Sequence, residues 1–173
     1  MLNLIHNEKP SRNRGSIQVG DPAPDFTLPD QAERLIHFAD LLDKGPVVLF
    51  FYPKDYSAGC TAEACAFRDS YESFEEAGAT VIGISADSAA SHQGFASRYR
   101  LPFILLSDSE GSVQQLYGVE KTFGLIRARI TFIVDNQGIV RHIFSSQLNI
   151  DKHITDALEI VLLLQSEEHS DTG

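Results

Sequence analysis

The sequence predicts an α/β fold in which a mixed central sheet is flanked by helices. Three observations carry that prediction. Val47–Tyr52 is a continuous apolar run after Gly45-Pro46, as expected of a strand buried on both faces. Cys60, Ala64, Phe67, Tyr71 and Phe74 then recur at helical spacing and form one face of a helix closed by Gly78. Ile130–Val134 and Ile139–Phe144 flank Asp135-Asn136-Gln137-Gly138, a hairpin signal. A strand–helix–strand unit followed by an antiparallel hairpin needs a sheet that contains both strand directions.

The remaining elements follow in chain order. Residues 1–18 show no periodicity and are expected to form a flexible N-terminal tail. Asp21-Pro-Ala-Pro-Asp25 is a stiff entry segment, because each Pro fixes its own φ and biases its neighbour toward extended backbone. Phe26–Leu28 and Leu35-Ile36 read as an N-terminal β-hairpin around Pro29-Asp30-Gln31. Thr80–Ser85 is a second strand and Ala89–Tyr99 a helix. Phe103–Leu106 is a short strand after Pro102, and Glu110–Tyr117 a short helix ended by Gly118. Ile154, Ala157, Leu158, Val161 and Leu162 share one face of a closing helix. Residues 19–167 are expected to form a single domain, with 168–173 a loose C-terminal tail.

Composition narrows the function classes. A chain of 173 residues with 43% hydrophobic and 22% charged residues can bury one substantial core. Its formal net charge of −10 argues against nucleic acid or an anionic membrane as the main partner. No apolar run reaches membrane-spanning length. The apolar start Met1–Ile5 precedes Lys9, Arg12 and Arg14, the reverse of a secretory signal. A cytoplasmic protein is therefore expected, in which two cysteines are reduced and reactive, or buried and inert, rather than permanently bridged.

The chemistry concentrates in Tyr52-Pro-Lys-Asp-Tyr-Ser-Ala-Gly-Cys-Thr-Ala-Glu-Ala-Cys65. A buried strand ends at Pro53, a short loop follows, and Cys60 sits at the start of a helix. Unpaired N–H groups and the helix dipole favour thiolate there, and the thiolate is the nucleophile. Ser57 stands where its hydroxyl can cap the helix or donate to the sulfur and an incoming oxygen. Thr61 and Glu63 also suit a helix N-terminus. The competing reading of Cys60 is a small buried hydrophobe. Cys65, five residues on, lies on the helix flank, with Cα atoms about 8–9 Å apart on an ideal helix. That exceeds the roughly 7 Å reach of a disulfide. Either the two never pair or the first turns unwind when they do. Arg127 and Arg129 precede the strand Ile130–Val134, where a fixed guanidinium can stabilise a thiolate and negative charge on oxygen; as surface arginines they would do neither. His6, His37, His92, His142, His153 and His169 show no metal-ligand spacing, and no phosphate loop or dinucleotide fingerprint is present, so neither metal nor cofactor is expected. Asp21, Asp25 and Asp30, among prolines, are read as turn-shaping residues.

Pro53, Ser57 and Cys60 match the Pro-x-x-x-(Thr/Ser)-x-x-Cys motif, and the sequence thereby resembles the peroxiredoxins. It is most similar to the peroxiredoxin Q, or bacterioferritin comigratory protein, branch. That likeness rests on Tyr52-Pro53-Lys54-Asp55, Gly59-Cys60-Thr61 and a second Cys five residues on. Further similarity runs through Gly20–Asp30, Gly83–Ser85, Leu105–Asp108, Tyr117–Val119 and Arg129–Asp135. The resemblance implies a thioredoxin-like fold and reduction of hydrogen peroxide or alkyl hydroperoxides. It makes Cys60 the peroxidatic residue, passing through a sulfenic acid, and Cys65 the resolving residue of an intramolecular disulfide. Pro53 would shield the pocket, Ser57 would stand for the usual Thr, and Arg129 would activate thiolate and peroxide. A thioredoxin-type reductant would reopen the disulfide, and a resolving cysteine within one helix favours a monomer. Two positions depart from the family: Ala58 replaces the usual Pro, and Tyr56 stands where a smaller or different residue is common. The alternatives are a thioredoxin-like disulfide oxidoreductase and a non-enzymatic redox sensor. Against the oxidoreductase, no Cys-x-x-Cys occurs and no Pro follows Pro102.

Overall fold

The computed structural model describes residues 16–119, 121–122 and 126–172; the side chains of 121–122 and 126–127 lie outside what it describes. The apolar run after Gly45-Pro46 becomes β3 (Val47–Phe51), the centre of a five-stranded sheet. It pairs in parallel with β4 (Thr80–Ser85), and β4 pairs in parallel with β5 (Ile104–Ser107). On its other edge β3 runs antiparallel to β8 (Ile130–Val134), which turns through Asp135–Gly138 into β9 (Val140–Ser145). The sheet order β5-β4-β3-β8-β9 is that of a mixed, thioredoxin-like sheet. The N-terminal hairpin is present as β1 (Thr27–Pro29) and β2 (Leu35–His37). A small ribbon, β6 (Lys121–Thr122) with β7 (Ile126–Arg127), precedes β8.

Both faces of β3 are buried, and period-two alternation sorts its side chains. Val48, Phe50 and Tyr52 point into the core built with α2 (Ala58–Asp69), α3 (Tyr71–Glu76), α4 (Ala89–Tyr99) and α6 (Ile150–Asp171). Val47, Leu49 and Phe51 point to the opposite core, under the N-terminal hairpin, α1 (Phe38–Leu42) and α5 (Ser112–Leu116). Cys60 belongs to the first of these clusters.

Two expectations about the elements are corrected, and one element is added. The helix expected to run from Cys60 to Gly78 is two helices. It starts at Ala58, breaks at Ser70 and resumes at Tyr71. Ser70 carries non-helical backbone, and Ser is a residue whose side chain competes for local backbone bonds. The break lets Phe67 and Phe74 meet with ring centroids 5.8 Å apart. Helix α1 had no sequence signal: its five residues span little more than one turn, and only Phe38 and Leu41 are buried. The C-terminal tail expected over 168–173 is helical as far as Asp171, where His169, Ser170 and Thr172 bond carbonyls one turn back. At the other end, residues 1–15 of the expected tail lie outside the described residues, and Ile17 already packs against the second core. Among the described residues, no helix is long and apolar enough to cross a membrane.

Candidate active site

The strand β3 delivers the chain into the site. Beyond it, Tyr52 remains buried and donates its N–H to the Ile84 carbonyl at 3.1 Å. Pro53 is half-buried and opens the loop, and Asp55 turns inward. Tyr56 takes a left-handed backbone (φ 65°) and lays its ring edge-on to Phe95 at 5.2 Å. Ser57 then has the extended backbone of an N-cap, and its Oγ accepts from the Cys60 N–H at 3.4 Å. The Ser57 hydroxyl proton goes to the Lys54 carbonyl at 3.1 Å. Ser57 therefore caps the helix, and in this state its proton is not aimed at the sulfur.

Cys60 occupies the third position of α2, within the first turn, and is 1% exposed. Arg129 reaches it from the segment before β8: Nη2 donates to Sγ at 3.4 Å. The close approach depends on Gly59, where a Cβ would stand 2.9 Å from Arg129 Nη2. Arg129 is itself buried and pairs through Nη1 with Glu63 Oε1 at 3.0 Å. Burial works against its charge, while Glu63 and Cys60 hold its pKa above the ordinary value. A guanidinium on the sulfur, inside the first helical turn, favours thiolate twice over. Of the two candidate arginines, Arg129 faces the sulfur; the side chain of Arg127 lies outside the described residues.

Glu63 is not a first-turn residue, because the helix starts two residues earlier than its spacing implied. It is fully buried, and burial pushes its carboxyl up to about 7 against the opposing pull of Arg129. Its second oxygen, Oε2, has no hydrogen-bond partner among the described residues and lies 3.7 Å from Nδ1 of buried His153. Cys65 sits half-buried on the flank of the same unbroken helix, and neither sulfur is in a disulfide. A Cys60–Cys65 bond therefore requires α2 to unwind.

A family model described as the AhpC/TSA family matches residues 19–143. The chain belongs to the peroxiredoxins. This peroxiredoxin is 47% identical over 148 residues to the chloroplastic peroxiredoxin Q of Triticum aestivum, covering 85% of this chain and 68% of that protein. It is 45% identical over 150 residues to the chloroplastic peroxiredoxin Q of Sedum lineare, covering 86% and 80%. The crystal structure of peroxidoxin BcpB from Mycobacterium tuberculosis superposes with a TM-score of 0.79 at 39% identity, over 84% of this chain and 96% of that one. The relatives place the chain in the peroxiredoxin Q branch. It is a thiol-dependent peroxidase, which favours that activity over the disulfide-oxidoreductase and sensor readings. Its substrate is a peroxide and its electrons come from a thiol-type reductant.

A second buried group lies on the other side of the peroxiredoxin loop. Asp55 accepts from the Tyr52 hydroxyl at 2.6 Å and the Ser91 hydroxyl at 2.8 Å, and its Oδ2 lies 2.8 Å from His92 Nδ1. His92 Nε2 donates to the Leu106 carbonyl at 3.0 Å. Asp87 accepts from the Asp55 N–H and the Ser85 hydroxyl. Spacing along the sequence showed no such grouping of His92, because α4, the loop and the end of β4 each contribute one member. Their ligand-type atoms lie within 4.8 Å of one another. Asp30, read as turn-shaping, does shape its turn: it is buried and accepts from the N–H groups of Ala32 and Arg34.

Proposed function

We propose that Cys60 is the peroxidatic residue, Cys65 the resolving residue, and Arg129 the group that stabilises the thiolate and the developing oxyanion. The observation that carries this reading is Arg129 Nη2 at 3.4 Å from Cys60 Sγ, on a sulfur already in the first turn of a helix. The Cys60 thiolate attacks one peroxide oxygen. An S–O bond forms, the O–O bond breaks, and the leaving alkoxide or hydroxide takes a proton to become alcohol or water. Cys60 is then a sulfenic acid. The thiolate of Cys65 attacks Cys60 Sγ, the S–O bond breaks with loss of water, and a disulfide forms once α2 has unwound. Two thiol–disulfide exchanges with a dithiol reductant of the thioredoxin type return both thiols. Ser57 holds the helix start, and Pro53 rigidifies the loop entry and shields the sulfur from bulk water. Both hydrogen peroxide and organic hydroperoxides fit this chemistry. Because both cysteines lie on α2, the cycle closes within one chain, and a monomer suffices.

The test is peroxide consumption with thioredoxin and its reductase, joined to mass spectrometry of the peroxide-treated protein. Wild type is expected to turn over and to show a Cys60–Cys65 link that thioredoxin reverses. Cys60→Ser abolishes turnover. Cys65→Ser undergoes the first oxidation and accumulates sulfenic acid or a mixed disulfide. Normal turnover by Cys60→Ser sinks the proposal.

A further inference from the structure

Behind Arg129 the polar chain continues away from the sulfur, and it is incompletely bonded. His153 Nε2 lies 2.8 Å from the Ser146 carbonyl, which can only accept, so Nε2 carries a hydrogen. A neutral ring then has a bare Nδ1, which accepts from the Thr131 hydroxyl at 2.8 Å. Glu63 Oε2 faces that same Nδ1 at 3.7 Å. With Glu63 ionised, two lone pairs oppose each other in a fully buried site, and Oε2 goes unbonded among the described residues. One added proton removes the conflict: with the Thr131 hydroxyl turned away from the single Nδ1 lone pair, closing the gap by about 1 Å makes an O–H···N bond of ordinary length.

We propose that Glu63 Oε2 and His153 Nδ1 share a single proton, and that this proton governs how much of the Arg129 charge acts on Cys60. The inference rests on Cys60 being the peroxidatic residue. With the proton in place, Glu63 is close to neutral and the guanidinium is free to serve the thiolate and the peroxide oxygens. With the proton lost, Glu63 is a full anion 3.0 Å from Nη1 and competes with the sulfur for Arg129. His153 is a positioning residue in this scheme, since it reaches the sulfur only through Glu63 and Arg129.

The surrounding charges agree. Glu63 faces Arg129 from the segment before β8 and His153 on α6, and Cys60 on its own helix reaches it through Arg129. Burial raises its carboxyl to about 7, in the range where a shared proton is exchanged at physiological pH. His153 is held below the ordinary imidazole value, mainly by burial, with Arg129 acting in the same direction. The Ser146 carbonyl and Asp156 act the other way, Asp156 being occupied by Lys152 at 2.8 Å and by His142 of β9 at 3.5 Å. The proton therefore resides on the Glu63 side and is accepted by His153.

Single-turnover oxidation of Cys60 by hydrogen peroxide, followed from pH 5 to 9, reads the consequence. The rate of wild type falls about five- to tenfold through a descending limb near neutrality, as the oxyanion donor is withdrawn. In Glu63→Gln the carboxamide accepts from Arg129 and permanently offers an N–H to Nδ1, so the descending limb disappears. His153→Gln removes the ring acceptor and moves the limb to lower pH. Thr131→Val removes the competing donor to Nδ1 and moves it to higher pH. Purely structural roles would lower the rate at every pH without moving the limb. Nitrogen-15 NMR of the His153 ring is independent of turnover: Nδ1 shifts near neutrality in wild type and stays constant in Glu63→Gln. A Cys60→Ser protein that still consumed peroxide would remove the reading beneath this one without touching the NMR titration. An Nδ1 signal invariant from pH 5 to 9 in an active wild type, or a limb retained unchanged in Glu63→Gln, overturns the shared proton.

Discussion

Two buried polar networks flank the loop 53–57, and they differ in how completely they are bonded. On the α4 side, both Asp55 oxygens accept hydroxyl donors, His92 uses both ring nitrogens, and Asp87 accepts from two partners. On the α6 side, Glu63 Oε2 and Arg129 Nε lack hydrogen-bond partners among the described residues. A satisfied buried network specifies one geometry, whereas an unsatisfied one is costly and is retained where chemistry uses it. The first network fixes the loop that leads to Cys60, and the second leaves unpaired polar atoms on Arg129, which touches the sulfur, and on Glu63 behind it. This division suits the proposed cycle, in which helix α2 opens to bring Cys65 to Cys60 while the loop before it stays in place.

The largest test of that contrast is Asp55→Ala. It strips the acceptor from Tyr52, Ser91 and His92 together, inside a site that water does not reach. Removing one partner of a buried pair costs about 3–5 kcal/mol. Urea unfolding of the reduced protein is expected to show that loss. A loss below about 1 kcal/mol, the scale of one ordinary hydrogen bond, would mean the network is no anchor.

Arg129→Met is expected to reverse the pattern. Loss of a donor to a developing oxyanion slows the reaction by about 10²–10³. Stopped-flow oxidation of Cys60 measures it. Stability falls by only about 1 kcal/mol, because Glu63, deprived of its cation, takes up a proton instead of remaining a bare buried charge. A variant that unfolds as readily as Asp55→Ala would erase the distinction between the two networks.

The carboxyl of Glu63 also couples stability to pH. Unfolded, it ionises near its ordinary value of 4.5; folded, it keeps its proton to about 7. Between those values the native state binds more protons than the unfolded state, so this group's contribution falls as pH rises. The full loss is on the order of 3 kcal/mol at most, since a proton held across one pH unit is worth roughly 1.4 kcal/mol. Denaturant unfolding at pH 5 and pH 8 should show that decline in wild type and its absence in Glu63→Gln.

The sequence assigned no role to any member of the first network, Asp55 entering only through the family resemblance, and of the second it assigned Cys60 and Arg129 to the chemistry. Strands β3, β4 and β8 were legible because continuous apolar runs and the Asp135–Gly138 turn are local signals. Cys60 and Ser57 were legible because their roles depend on a strand-loop-helix boundary. Arg129 was legible as one of a pair, and its contact with the sulfur depends on the pairing of β8 with β3. His92 and His153 were not legible, since each meets its partner across a long sequence interval through a different helix. Glu63 was visible but assigned to the helix terminus. The two-residue shift of the helix start removes it from the first turn, and its spacing of three from Cys60 and four from Phe67 places it on the buried face.

The smallest predicted effect concerns the junction between the anchored loop and the helix that opens in the proposed cycle. Ala58 is the first residue of α2, and Ser57 before it has φ −65° and ψ 150°. That is the conformation a residue preceding proline prefers, and the first helical position is where proline is tolerated best. Ala58→Pro should therefore stabilise the fold by about 0.4–1 kcal/mol through the unfolded chain. The same increment favours the wound first turn over the unwound one. Disulfide formation after the first oxidation should slow about two- to fivefold, the rate equivalent of that free energy. Peroxide attack should be unaffected, because the proline replaces no group that touches the sulfur. Quenched-flow mass spectrometry separates the two steps. If stability rises and disulfide formation keeps its rate, unwinding begins beyond residue 58, and the first turn of α2 belongs with the anchored loop.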